Sequence, residues 1–359
     1  MNKYKVCVYA ISKNEEKFVE RWMDSVNEAD MVVVLDTGSA DNTVKKLRER
    51  GAVVYEEIIN PWRFDTARDK ALSHVPEDTD ICVSNDLDEV FEPGWRKKLE
   101  DAWKKDTTRA RYLFNCSFNP DGTPNKQYGM EKIHARKGYK WVHPVHEVLR
   151  YDGVEKKIWI DNLILNHYPD DAKPRSQYLS LLELSAKENP DDDRGMFWLG
   201  REYMFYRKWE QSIKTLKHYL TMPAATWKEE RCAAMRYIAK GYEQSGDKEQ
   251  AKSWYFRAVA ECPYVREPYL DFALFGYAEK DWRLVMLMAL EALKFTTSTG
   301  SYLVEPKAWD FTFHDLAALS LYYLGMIKEA YIHAKAAYEM QPENERLKNN
   351  MLLMQKGAE

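Results

Sequence analysis

At 359 residues the chain exceeds the roughly 250–300 residues at which a single core stops growing, so two domains are expected. Charged residues make up 31% and hydrophobic ones 45%, the balance of an ordinary globular protein, and a formal net charge of −4 speaks against a general nucleic-acid binder. No apolar run approaches the ~20 residues of a membrane span, the start MNKYKVCVYAISKNEE lacks a signal-peptide cleavage pattern, and five scattered cysteines without a C-x-x-C predict reduced thiols in a cytoplasmic protein with no structural zinc.

The first half alternates between strand and helix patterns. Residues 4–11 read as a strand. Asn14–Val26 follows as a helix, with Phe18, Trp22 and Val26 at helical spacing. Met31–Leu35 is a continuous apolar run, the mark of a strand covered on both faces. Ser39, Ala40, Asp41 and Asn42 offer caps for a helix through Arg50. Val53–Ile59, Phe64–His74 and Asp80–Asn85 read as strand, helix and strand. This order implies a mostly parallel α/β sheet with helices on both faces. Beyond Arg111 the runs RYLFNCSF, KIHARK, KWV and KKIWIDNLIL predict further strands of the same sheet.

After Pro174 the pattern becomes helix after helix. Tyr242, Gly246, Ala251, Tyr255, Ala258 and Pro263 recur in spacing as Leu321, Gly325, Ala330, Ala334, Ala337 and Pro342. Trp198, Leu199, Gly200 and Tyr203 open a further copy, and residues 266–295 read as a degenerate one. These units resemble tetratricopeptide repeats, each a helix hairpin whose small residues allow close approach. The expected domains are therefore 1–172, a catalytic α/β domain, and 173–359, a helical repeat domain. Most aromatics of the second half read as core. A solenoid of this kind presents a concave surface suited to a protein or peptide, or to a second copy of the chain.

In an open α/β sheet, ligands bind beyond the carboxyl ends of the strands. Each of the first four strands ends in polar residues: Ser12-Lys13-Asn14-Glu15, Asp36-Thr37-Gly38-Ser39, Asn60-Pro61-Trp62-Arg63, and Asp86-Leu87-Asp88-Glu89. No G-x-G-x-x-G and no P-loop is present, and Gly38 and Gly51 are the glycines before residue 90. Without a glycine cradle, a bound diphosphate needs its charge neutralised by other means. Asp86 and Asp88 offer hard carboxylate oxygens for Mg²⁺ or Mn²⁺. Asp36 also suits an Asx-turn, Glu89 a cap or loop position, and Arg68 a surface salt bridge with Asp65 or Asp69.

The runs VYAISKNEE, VVVLDTGSADNT, FDTARDKAL and VSNDLDEV, in that order, resemble the nucleotide-binding half of GT-A-fold, family-two glycosyltransferases over about residues 4–170. The resemblance implies a Rossmann-like GT-A domain, a nucleotide-sugar donor (a UDP-sugar) and a Mn²⁺ or Mg²⁺ cofactor. It implies that Asp36 contacts the base, that Ser12 and Glu15 line the base and ribose pocket, and that Arg68 contacts the diphosphate or orders the D-x-D loop. Asp88 becomes the metal ligand, and Asp86 holds the ribose or the metal.

Four of the eight histidines, His134, His143, His146 and His167, fall in one short stretch. Pro144 between His143 and His146 argues against a helical zinc pair. The pattern W-x-x-x-V-H-E at Trp141–Glu147 resembles a sub-branch of family two. That resemblance implies Glu147 as general base and His167 as a metal ligand. His146 becomes a second metal contact or a partner orienting Glu147; as an alternative, His146 and Glu147 form a buried hinge pair. Trp141 and the loop 118–131 either stack the sugar and close over the donor, or make a plain hairpin connection. The implied activity is metal-dependent, inverting transfer of a hexose to a protein, peptide or saccharide acceptor. The rivals are a non-catalytic nucleotide-binding adaptor and a nucleotidyltransferase, for which Ser12–Glu15 is a poor phosphate loop.

Overall fold

The computed structural model describes residues 3–170 and 178–358. The chain divides into two compact units, Met1–Glu188 and Asn189–Glu359. The boundary expected at 172/173 lies outside the described residues.

The first unit opens with β1 (Val6–Ser12), α1 (Val19–Val26), β2 (Met31–Asp36), α2 (Thr43–Glu49), β3 (Val53–Glu56), α3 (Phe64–Ser73) and β4 (Ile81–Ser84). It continues with β5 (Glu89–Phe91), α4 (Trp95–Ala102), β6 (Arg109–Phe118), β7 (Pro124–Ala135), β8 (Tyr139–Val142), β9 (Val148–Tyr151), β10 (Lys157–His167) and α5 (Tyr178–Glu188). One sheet has the order β3-β2-β1-β4-β7-β6-β10-β5. Strands β3, β2, β1 and β4 run parallel; β7 lies antiparallel to β4 and β6, and β5 antiparallel to β10. The continuous apolar character of β1 follows from cover on both faces. Val6, Val8 and Ala10 pack with Trp22, Trp95 and Leu99 on one side. Cys7 and Tyr9 pack with Ala71, Leu72 and Trp141 on the other.

Three expectations change. The first helix begins at Val19 rather than Asn14. Asn14 adopts a left-handed φ of 55°, which a helix cannot absorb, and its Oδ1 accepts from the Ala40 amide at 2.8 Å, lacing two rim loops together. KWV does not extend the main sheet. It forms β8, which pairs with β9 in a two-stranded sheet whose Trp141 and Leu149 cover the α3 side of the core. Most of segment 118–131 is strand, not loop: β6 and β7 pair through Phe118↔Pro124, which leaves a short turn. The segment is thus a β-hairpin connection between β6 and β7.

The second unit consists of hairpins α6 (Asp193–Phe205)/α7 (Trp209–Thr221), α8 (Lys228–Gln244)/α9 (Lys248–Glu261), α10 (Glu267–Ala278)/α11 (Trp282–Ala292) and α12 (Thr312–Tyr323)/α13 (Ile327–Met340), followed by α14 (Glu345–Ala358). Close approach depends on the small residues. A Cβ on Gly200 would stand 2.5 Å from the Leu216 side chain, and Ala251, Ala258, Ala330 and Ala337 are fully buried. Each hairpin turns through one left-handed residue: Arg207 (φ 56°), Gly246 (φ 85°), Lys280 (φ 58°) and Gly325 (φ 79°). Glycine is present in only two of the four copies. The segment between α11 and α12 lies along α8, where Thr299, Tyr302 and Glu305 bond Glu229, Glu230 and Arg236.

Candidate active site

Ser12 and Asp36 are register partners at the carboxyl ends of β1 and β2. The Ser12 hydroxyl donates to Asp36 Oδ2 at 2.8 Å, and the Ser39 hydroxyl donates to the same oxygen at 2.5 Å. Asp36 Oδ1 accepts from the amides of Gly38 and Ser39 at 3.0 and 2.8 Å. Two bonds on each oxygen fill the carboxylate's acceptor capacity of about four, so a base would have to displace a hydroxyl. Gly38, at φ 104°, permits this turn. The Glu15 amide donates to Thr43 Oγ1 at 2.7 Å, which ties the loop after β1 to the start of α2.

The second group gathers beyond β4. Arg68 projects from α3 and is only 6% exposed. Its Nη1 and Nη2 donate to Asp86 at 2.7 and 3.0 Å, and its Nε donates to Glu147 Oε1 at 2.5 Å. Asp65 and Asp69 are engaged elsewhere, by Arg63 and by the Trp141 amide. Arg68 is therefore a buried fork rather than part of a surface ion pair. Lys132 reaches in from β7, donating to Asp86 Oδ2 at 2.8 Å and to Glu89 Oε1 at 3.0 Å. Burial alone would raise the Asp86 pKa, yet Arg68 and Lys132 hold it well below the usual carboxylate range. Burial pushes the Glu89 carboxyl up, with Lys132 opposing and the neighbouring aspartates reinforcing. Glu89 braces the turn, since its Oε2 accepts from the Asp86 amide at 2.9 Å.

Asp88 faces the other way. Its Oδ2 lies 3.4 Å from His167 Nε2, while His167 Nδ1 donates to the Cys116 carbonyl at 3.3 Å. That second bond aims Nε2 at Asp88. Burial opposes protonation, but Asp88 carries the imidazole up to about 10. The His146 ring stacks on Tyr178 with centroids 5.8 Å apart, and His146 has a left-handed φ of 52°. His134 lies in the core: its Nε2 accepts from the Tyr9 hydroxyl at 2.8 Å, and that oxygen accepts from Trp141 Nε1 at 2.9 Å. Trp141 is 3% exposed and lies 5.1 Å from the Arg68 guanidinium, so it backs the arginine. It also walls an open cavity of about 430 Å³ whose lining, Arg63, Asp65, Asp69 and Lys70 among it, excludes Arg68, Asp86 and Asp88.

Among the described residues no three His, Cys, Asp or Glu side chains converge as a complete metal cage. The donor chemistry nonetheless fits a divalent cation held by few protein ligands. Asp88 supplies an oxygen and His167 a ring nitrogen, two donors of the kinds such an ion accepts. The four acids Asp86, Asp88, Glu89 and Glu147 outnumber the fixed cations Arg68 and Lys132, which also favours added positive charge.

A family model described as "Glycosyl transferase family 2" matches residues 7–148. The chain carries a family-two glycosyltransferase domain. No curated protein matches the chain. Among solved structures, glucosyl-3-phosphoglycerate synthase from Mycobacterium tuberculosis, described in complex with Mn²⁺, UDP and glucosyl-3-phosphoglycerate, is 22% identical with a TM-score of 0.28. That match covers 31% of this chain and 44% of that one. "MamA MSR-1 C2" is 14% identical with a TM-score of 0.34, covering 46% and 87%. A chain of the structure described as "APC/C hetero-tetramer Cut9-Hcn1" is 13% identical, with a TM-score of 0.37 and coverage of 51% and 34%. With TM-scores this low, the assignment of the family-two domain rests on the family match.

Lys132 and Tyr9 were not legible as parts of this site. The signal for Lys132 was one of two lysines inside a strand. Nothing local marks which residues of β7 will lie beside β4, because that pairing is antiparallel and long-range.

Proposed function

We propose that the chain is an inverting, metal-dependent hexosyltransferase that moves a sugar from a nucleotide sugar, a UDP-hexose, to an acceptor. The observation that carries this reading is Arg68 bridging Asp86 and Glu147 beyond the carboxyl end of β4, where open α/β sheets bind ligands. In this reading Ser12, Glu15 and Asp36 line the base and ribose end. Glu147 takes the proton from the acceptor as it attacks the anomeric carbon, and general-base help of this kind contributes about 10²–10⁴-fold. Arg68 faces the charge that builds on the departing diphosphate. Asp88 and His167 would hold a divalent cation, which when bound supplies further charge neutralisation. Direct displacement inverts the anomeric centre. A thiol acceptor depends less on Glu147, because it ionises more readily than a hydroxyl.

The acceptor in this proposal is a protein, peptide or saccharide, and the repeat domain from residue 173 onward binds it or pairs two copies of the chain. No described helix is long and apolar enough to cross a membrane, and the free cysteines suit the reducing cytoplasm we assign it to. The test is calorimetric titration of UDP, GDP and UDP-sugars with Mn²⁺ and with EDTA, alongside Asp88→Ala. Metal-dependent UDP binding that disappears in Asp88→Ala supports the reading. A folded protein that binds no nucleotide with metal present sinks it and leaves an adaptor acting through its repeats.

A further inference from the structure

The acidic turn after β4 is served unevenly by cations. Asp86 Oδ2 accepts from both Lys132 and Arg68, and Asp86 Oδ1 accepts from Arg68. Glu89 Oε1 accepts from Lys132, and Glu89 Oε2 from the Asp86 amide. Asp88 faces an imidazole instead. The Lys132 side chain is only 16% exposed, so its charge is poorly screened by solvent. A lysine suits the position because one compact ammonium carries three donors and can answer two carboxylates from the strand beside them.

We propose that Lys132 is a positioning residue of the donor site, a tethered cation that satisfies Asp86 and Glu89 and so confines a divalent ion to the Asp88 side of the turn. This rests on the glycosyltransferase reading only for what the ion is for; the charge argument stands on the geometry. A divalent ion bonded to Asp86 would sit beside an ammonium and a guanidinium. At separations of about 4 Å that repulsion outweighs the gain from one remaining lone pair. At Asp88 the neighbouring side chain is the His167 imidazole, 3.4 Å away, a metal-ligating group in place of an ammonium or a guanidinium. Lys132 also allows the turn to keep its shape without metal, since Asp86 and Glu89 would otherwise repel each other at close range. Asp86 then acts as an anchor for Arg68 rather than as a ligand.

The experiment is titration of Mn²⁺ alone into metal-free full-length protein, by calorimetry or by loss of the free Mn²⁺ paramagnetic signal, with thermal denaturation in parallel. Lys132→Met removes the charge and keeps the length. It is expected to bind Mn²⁺ about tenfold more tightly than the wild type, the scale of one unit charge removed beside the ion. Lys132→Arg keeps wild-type affinity, and Lys132→Met with Glu89→Gln returns to it. A lysine that merely supports the fold would lower the melting temperature without tightening Mn²⁺. Unchanged, weaker or undetectable Mn²⁺ binding by folded Lys132→Met overturns the proposal. Should that variant not fold, Glu89→Gln alone decides: it leaves Lys132 less neutralised and is expected to weaken Mn²⁺ about tenfold, and an unchanged affinity overturns the proposal. UDP is added last. A wild type that ignores UDP in the presence of Mn²⁺ defeats the glycosyltransferase reading, while the ratio of Mn²⁺ affinities still judges Lys132.

Discussion

Arg68 and Glu147 are 79 residues apart in the chain, and the arginine Nε lies 2.5 Å from the glutamate Oε1 while the rest of the guanidinium forks Asp86. One buried cation thus joins the acidic turn after β4 to the segment that precedes β9. Removing it leaves two partly buried carboxylates facing each other. Arg68→Met is expected to destabilise the first unit by about 3–5 kcal/mol, the cost typical of breaking a buried ion pair from one side. Arg68→Lys retains the charge, loses the fork and falls between the two. Urea denaturation midpoints of the three proteins measure this, and a loss below about 1 kcal/mol for Arg68→Met would mean the pair is solvated after all.

Glu147→Gln separates the catalytic proposal from the structural one. Glutamine keeps the size and an oxygen for Arg68 but cannot take a proton. Transfer to a hydroxyl acceptor is expected to fall by about 10²–10⁴-fold, with Mn²⁺-dependent UDP affinity nearly unchanged. Equal losses in both would place Glu147 in the scaffold rather than in the proton transfer.

His134 predicts an acid-sensitive core. Burial lowers its pKa from 6.5 to about 3, and its Nδ1 donates to the Ala135 carbonyl at 2.8 Å while its Nε2 accepts from Tyr9. Between those two values the unfolded chain binds a proton that the folded chain refuses. Stability from this residue is therefore complete above pH 6.5 and declines as pH falls towards 3, by about 1.4 kcal/mol per unit. His134→Gln should lower stability at pH 8 and flatten the slope between pH 6.5 and 5. Parallel slopes for the two proteins would show that the histidine is protonated in the fold.

The hairpin turns of the repeat unit offer a test by substitution. Arg207 and Lys280 occupy the left-handed position that Gly246 and Gly325 occupy in the other two hairpins. An L-residue pays about 1–2 kcal/mol there, against the 0.5–1 kcal/mol of chain entropy that glycine loses. Arg207→Gly and Lys280→Gly should each stabilise by about 0.5–1 kcal/mol, and Gly246→Ala and Gly325→Ala should destabilise by about the same 0.5–1 kcal/mol, read as shifts in melting temperature.

These residues also show how far the sequence could be read. Gly246 and Gly325 announced two hairpins because glycine is the cheapest residue at a left-handed turn. Arg207 and Lys280 hid the other two turns, because arginine and lysine are not turn residues and carry no local mark of a left-handed position. At the site, Asp86 and Asp88 stood out as carboxylates at the end of an apolar run, and Arg68 and Glu147 through the resemblance to family-two glycosyltransferases. Their mutual geometry did not. Asp86 and Asp88, two residues apart, were expected to share work, yet one is bound by Arg68 and Lys132 and the other faces His167.

The alternation of apolar runs and helical spacings determined by itself that a mostly parallel sheet precedes a stack of helix hairpins, because periodicity reflects which face of each element is buried. It also determined that polar residues crowd the rim where β1, β2 and β4 end. Only the tertiary structure decided which charges meet there. Lys132 comes from an antiparallel strand, His167 from the end of β10, and Glu147 from the turn between β8 and β9, and nothing in their neighbouring residues records those distances. Ion pairs fall off with separation in space and are indifferent to separation in sequence, so a site built from five distant segments becomes visible only once the sheet has brought them together.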